Sequence, residues 1–157
     1  MNELAWGRID SPLGVLHVGM SGRRLARIAL PSEGRSGIVP TRSAGIAHAA
    51  SELKEYFAGE RREFTIPLDW SRARGFRRRV LEEMGRIPYG ETVTYRELAA
   101  RAGNSRAARA AGHTCATNPI PIVLPCHRVI GSDGRLHGFT GGIHLKEFLL
   151  RLEGSLL

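Results

Sequence analysis

The chain has 157 residues, 42% of them hydrophobic, enough to bury one reasonable core or two small ones. It carries 23 basic and 15 acidic side chains, a net charge of +8, and 21 of the 23 cations are arginine. No apolar run approaches the roughly 20 residues of a membrane span, the N-terminal stretch lacks an apolar signal core, and two cysteines are too few for a disulfide scaffold. These exclusions place the protein in a reducing cytoplasm, away from membranes. The positive charge lies mostly after residue 68, with net +2 before that point and +6 after it. Arginine offers a planar fork that matches phosphate. A basic C-terminal part therefore points to a polyanion partner, most simply nucleic acid. The plainer reading is an arginine-rich, solvated surface.

In chain order, residues 5–10, 15–19 and 25–29 read as short strands, punctuated by Ser11-Pro12-Leu13-Gly14 and Ser21-Gly22 turns. Residues 31–43 read as a loop. Residues 44–57 carry apolar side chains at helical spacing, and Gly59 follows as a stop. Residues 64–68 read as another short strand. The expected architecture is mixed α/β (α+β): a sheet-plus-helix domain over 1–70 and a mainly helical domain over 71–157 with a winged helix-turn-helix.

In the second part, residues 76–85 read as a helix that Ile87-Pro88-Tyr89-Gly90 breaks. Thr94 and Glu97 fit a capping box that opens a helix over 95–102. Gly103 ends it, and Asn104 or Ser105 is placed to cap a second helix running to Cys115. Two short helices around a tight turn are the helix-turn-helix spacing. Arg106 and Arg109 are placed on that second helix, among small side chains suited to close approach, whether to DNA or to a packed helix. Residues 122–124 read as a buried strand leading into Pro125-Cys126-His127-Arg128-Val129. Residues 143–152 read as the closing helix.

Cys126 has an imidazole and a guanidinium beside it in sequence, the neighbours that favour a thiolate. His127 is the candidate base and Glu153 the candidate carboxylate that orients it. The alternative is an inert core cysteine. A zinc site formed by His113, Cys115, Cys126 and His127 has the wrong spacing, and no metal is expected.

The segment Asn118-Pro119-Ile120-Pro121-Ile122-Val123-Leu124-Pro125-Cys126-His127-Arg128-Val129 resembles the active-site segment of the O6-alkylguanine-DNA alkyltransferases, also called methylated-DNA–protein-cysteine methyltransferases. Residues 87–95 resemble that family's approach to its helix-turn-helix. Ala107-Ala108-Arg109-Ala110 resembles the start of its recognition helix. Gly138-Phe139-Thr140-Gly141-Gly142, Lys146 and Leu149-Leu150-Arg151-Leu152-Glu153 resemble its C-terminal segment, and weaker matches extend upstream. Lesion-binding relatives lack the acceptor cysteine that this chain keeps.

The resemblance implies a repair protein that rotates a damaged guanine out of the duplex and takes its alkyl group onto Cys126, once per molecule and without a cofactor. It implies a base, His127, acting through a water, with Glu153 behind it and Asn118 bracing the turn. Tyr95, Pro121, Val129 and Thr140 would hold the base. Arg109 would fill the gap in the stack, and Arg96, Asn104, Ser132 and Arg106 would contact DNA. The implied partner is double-stranded DNA carrying O6-alkylguanine, with O4-alkylthymine as an alternative lesion, met by a monomer. Residues 71–76 depart from the family pattern, and Arg72, Arg74 and Arg77 are placed to compensate electrostatically. The zinc-binding Cys/His set of animal members is missing from the N-terminal part.

Overall fold

Alternating apolar positions close to a glycine-terminated turn build the first element of the chain. In the computed structural model, which describes residues 3–33, 41–136, 139 and 141–156, β1 (Ala5–Ser11), β2 (Gly14–Ser21) and β3 (Arg24–Ala29) form an antiparallel meander in the order β1-β2-β3. Ile9 pairs with Leu16, and Leu16 and Val18 are fully buried. Ser11 makes the β1–β2 turn: its Oγ donates to the Gly14 carbonyl at 2.7 Å and accepts from the Leu13 N–H at 3.1 Å. α1 (Ala44–Phe57) starts where the Ser43 hydroxyl accepts the Ile46 N–H, and it buries Ala49, Leu53 and Tyr56.

The strand expected over residues 64–68 does not form. Only one parallel bridge joins Leu68 to Leu25. The reason is Glu52, a buried carboxylate on α1. It accepts the Thr65 and Ile66 N–H groups at 2.9 and 3.1 Å and the Thr65 hydroxyl at 2.5 Å. A side chain thus takes the backbone donors that a sheet ladder would use.

The chain divides into two compact units, Met1–Trp70 and Ser71–Leu157. In the second, α2 (Gly75–Met84) buries Val80, Leu81 and Met84. β4 (Val93–Thr94) runs directly into α3 (Tyr95–Arg101), where Thr94 and Glu97 make both halves of the expected capping box. Gly103, at φ +103°, turns the chain out of α3. α4 (Ala108–Ala116) follows, then β5 (Val129–Ile130), parallel to β4, and α5 (Ile143–Leu152). Leu98, Ala111, Val129 and Leu149 are fully buried in this unit's core. Among the described residues no helix is long and apolar enough to cross a membrane.

Two further expectations are corrected. The second helix starts at Ala108, after Ala107 and with no side-chain cap, rather than being capped by Asn104 or Ser105. Asn104 instead accepts the Arg106 N–H on its own side chain and the Ala107 N–H on its carbonyl, at 3.1 Å each. That Asx turn spends the Asn104 oxygens before a helix can use them, so Arg106 lies in the turn and not on the helix. Residues 122–124 form a turn rather than a strand, because Leu124 N–H returns to the Ile120 carbonyl at 2.9 Å.

Candidate active site

Asn118 organises the bend that delivers Cys126. Three prolines (Pro119, Pro121 and Pro125) deprive this stretch of backbone donors. The Asn118 amide supplies the missing links. Its Oδ1 accepts the Ile120 N–H at 3.0 Å, and its Nδ2 donates to the Leu124 carbonyl at 2.7 Å. Ile122 is held at φ +77°, a conformation costly for a β-branched side chain. Pro121 is buried inside this bend. The Leu124 carbonyl also receives the Cys126 N–H at 2.8 Å, and a 3-10 turn, Cys126–Arg128, follows.

Cys126 is 5% exposed and His127 is fully buried. Burial pushes the Cys126 thiol up to about 11, while the Asn118 side chain, the Lys146 charge and the backbone N–H groups of Cys126 and His127 pull it down. The thiol is therefore neutral near pH 7 and needs a base. His127 stands next to it in the chain. Burial lowers its pKa from the ordinary 6.5, against the raising effect of Glu153, so the ring is a neutral imidazole. Its Nε2 lies 2.8 Å from Glu153 Oε2. Facing a carboxylate, Nε2 carries the proton and Nδ1 keeps its lone pair. Nδ1 is buried and has no hydrogen-bond partner among the described residues.

Glu153 caps the C-terminus of α5, and its side chain is completely buried. It binds Arg128 as well as His127. Arg128 Nε and Nη2 donate to Oε1 and Oε2 at 2.7 and 2.9 Å, and Nη1 donates to the Ile87 carbonyl at 2.6 Å. The guanidinium also lies 5.6 Å from the Tyr89 ring centroid.

On the other side, Lys146 is fully buried, donates to the Val129 carbonyl at 2.6 Å and sits 5.8 Å from the Tyr95 ring centroid. Burial lowers the Lys146 pKa, and Cys126 and Cys115 counteract this. Burial also raises Tyr95 and Cys115, each to about 12. Gly112 brings α4 close to Tyr95: a Cβ there would lie 3.7 Å from Tyr95 Cδ1.

An open groove of about 430 Å³ adjoins this cluster, lined by Tyr95, Arg96, Ala108, Gly131, Ser132 and Asp133. Arg96, Arg106, Arg109, Asn104 and Ser132 are all exposed. Arg109 projects from the first turn of α4, while Arg106 and Asn104 lie in the turn before it. Thr140 lies outside the described residues. No three His, Cys, Asp or Glu side chains converge as metal ligands among the described residues.

Residues 75–155 match the family model described as "6-O-methylguanine DNA methyltransferase, DNA binding domain", and residues 4–70 match its "ribonuclease-like domain". The chain belongs to the methylated-DNA–protein-cysteine methyltransferase family. It is 43% identical over 149 residues to the Mycobacterium leprae methylated-DNA–protein-cysteine methyltransferase, covering 92% of this chain and 89% of that one. It is 37% identical to the constitutive Bacillus subtilis enzyme, covering 92% of both chains. A crystal structure of Mycobacterium tuberculosis OGT in complex with DNA superposes with a TM-score of 0.87 at 42% identity, covering 96% of this chain and 92% of that one. The activity is DNA repair by transfer of the alkyl group of O6-methylguanine to a cysteine of the protein itself.

Within this methyltransferase, the structure brings Cys126, His127, Glu153 and Asn118 together. Sequence reasoning read Arg128 only as a guanidinium beside Cys126 that favours the thiolate, and missed its hold on Glu153, 25 residues away. It also placed Arg77 among the cations compensating for an altered phosphate-contact segment. The structure instead sets Arg77 on the end of α4, donating to the Thr117 hydroxyl and carbonyl at 2.7 and 2.8 Å. Arg79 does the same for α3, donating to the Ala102 carbonyl at 3.0 Å. No local spacing signals these caps, whose partners lie 40 and 23 residues away.

Proposed function

We propose that Cys126 is the alkyl acceptor and that the protein repairs O6-alkylguanine in double-stranded DNA in a single, irreversible event. The observation that carries this reading is the buried His127–Glu153 contact at 2.8 Å, which leaves His127 Nδ1 as an unused base one residue from a neutral thiol.

The chemistry balances as follows. His127 Nδ1 takes the Cys126 proton through one water. The thiolate attacks the alkyl carbon of the flipped base. An S–C bond forms, the C–O6 bond breaks, and its electron pair stays on the guanine, which takes up one proton as it leaves. The product thioether cannot be reversed by hydrolysis, so each molecule acts once, and no step calls for a cofactor or a metal.

Tyr95, at the head of α3 and beside the open groove, is assigned to turning out and contacting the nucleotide. Pro121, the main chain at Val129 and Thr140 are assigned to the guanine. Arg109 is assigned to the gap left in the base stack. Arg96, Asn104, Arg106 and Ser132 are assigned to the DNA backbone, where contacts position a duplex without reading its sequence. The protein is assigned to the cytoplasm, where its two buried free thiols stay reduced, and to action as a monomer.

The test is intact and peptide mass spectrometry after mixing the protein with a duplex carrying one O6-methylguanine. The expected result is a single added methylene unit on the peptide containing Cys126. A Cys126→Ser variant is expected to bind the duplex and gain no mass. Transfer to any other residue, or transfer by that variant, would overturn the assignment.

A further inference from the structure

Glu153 is an awkward place for a negative charge. It caps the C-terminus of α5, with its N–H on the Leu149 carbonyl, where the helix dipole is negative. Its carboxylate is wholly buried. A carboxyl group so placed takes up a proton unless a cation is built against it. The neutral His127 ring supplies no charge. His127 and Arg128 both face the carboxylate; the Tyr89 hydroxyl donates to the neighbouring Leu152 carbonyl at 3.3 Å, and the Cys126 thiol is neutral. Lys146 acts on the ring from the other side, with its Nζ on the Val129 carbonyl. Arg128 is a cation built against Glu153, with its Nε 2.7 Å from Oε1.

The proton on Glu153 decides the tautomer of His127. An ionised carboxylate accepts from Nε2–H and leaves Nδ1 a base. A protonated one donates to Nε2 and forces the ring proton onto Nδ1, which then has no lone pair with which to take the thiol proton. We propose that Arg128 is a positioning residue for alkyl transfer: by holding Glu153 ionised it keeps the His127 proton on Nε2 and Nδ1 free for the thiol proton. This rests on the reading of His127 as the base for Cys126.

Arg128 is equipped to stay in place. Its two donors span both carboxylate oxygens, its third binds the Ile87 carbonyl, and the Tyr89 ring lies against it. A fork with this many fixed partners keeps one geometry.

Single-turnover transfer from duplex O6-methylguanine, measured from pH 6 to pH 10, tests the proposal in the wild type, Arg128→Met, Arg128→Lys, Glu153→Gln and the Arg128→Met/Glu153→Gln double variant. Arg128→Met is expected to transfer about 10- to 100-fold more slowly at pH 7, with a rate that climbs at higher pH as Glu153 loses its proton. Arg128→Lys, which keeps the charge, is expected to restore most of the rate. The double variant is expected to match Glu153→Gln alone, because with no carboxylate present Arg128 has no charge to hold. It also removes both ions of a buried pair, which folded proteins tolerate better than losing one. If the two losses multiply in the double variant, or if Arg128→Met keeps the wild-type pH profile, Arg128 does not act through Glu153 and the inference fails. Transfer by Cys126→Ser, run alongside, would instead sink the acceptor assignment beneath it.

Discussion

Asn118 Nδ2 donates to the Leu124 carbonyl at 2.7 Å, tying the first residue of the acceptor bend to the residue two before Cys126. The same carbonyl receives the Cys126 N–H, so one oxygen couples the brace to the nucleophile. Removing the amide leaves the Ile120 N–H without its acceptor and lets the strained Ile122 backbone relax. Asn118→Ala is expected to cost about 1–3 kcal/mol of stability, the usual penalty for unpaired buried groups. Transfer should slow further than the stability loss explains, because the thiolate also loses a donor. Urea unfolding and single-turnover kinetics on the same preparation separate the two effects.

Lys146 presents a trade between stability and reactivity. Its ammonium is buried and its pKa lowered by that burial, yet it favours the Cys126 thiolate. Lys146→Met is expected to slow alkyl transfer while leaving the melting temperature unchanged or higher, since an apolar side chain replaces a buried ion. The sign of the pH dependence follows from linkage. The folded-state pKa lies below the ordinary 10.5, so the unfolded chain binds more protons, and the wild type gains stability as pH rises toward that value. The advantage of the methionine variant should therefore be largest near neutrality and shrink as pH rises toward 10.5. A constant difference across that range would refute the account.

Glu52 does in the first unit what Asn118 does in the second. Burial opposes its ionisation, but its hydrogen bonds from Thr65 and Ile66 and the Arg61 charge prevail, and its pKa falls below the ordinary 4.5. A lowered folded pKa contributes stability that is present above 4.5 and lost as pH falls through the folded value. Glu52→Gln keeps one acceptor oxygen and sets an amide against the Thr65 hydroxyl and Arg61, which lies 3.2 Å from the carboxylate. A loss of about 1–3 kcal/mol is expected at pH 7, narrowing as pH falls below 4.5. Chemical denaturation on both sides of that value checks it.

What the sequence made legible follows a physical divide. Elements specified by local pattern were readable: α1 over residues 44–57, the Thr94–Glu97 capping box and α5 over residues 143–152 rest on contacts within a few residues, and the meander joins consecutive strands through short turns. The readings that failed are those settled by a partner distant in sequence or by competition for one oxygen. Residues 64–68 have the composition of a strand, but Glu52 takes their donors. Residues 122–124 have it too, but Asn118 bends them away. Cys126, His127 and Glu153 were readable as a set because of their motif context; Arg128 was readable as a neighbour of the thiol but not as a partner of Glu153, although it holds Glu153 more extensively than His127 does.

Arg77 and Arg79 show the same divide at the helix-turn-helix. Two residues apart on α2, and so projecting in different directions, they hold the C-terminal ends of both helices, Arg79 on the Ala102 carbonyl after α3 and Arg77 on Thr117 after α4. Helix ends leave carbonyls unpaired and carry a partial negative charge, so a cation there satisfies both needs. Each cap is exposed or part-buried and is worth about 0.3–1 kcal/mol to stability. Its larger effect concerns geometry, since α4 presents Arg109 from its opposite end. Arg77→Ala is expected to lower the melting temperature by only a few degrees and to weaken duplex binding clearly more. Arg77→Lys supplies charge without the two-point grip and should recover the stability but not the affinity. The salt dependence distinguishes a cap from a phosphate contact: losing a phosphate contact flattens the slope of log affinity against log salt by about one unit, whereas losing a cap leaves the slope unchanged. Binding titrations of both variants from low to moderate salt decide the matter, and a flattened slope for Arg77→Ala would return that arginine to the DNA backbone.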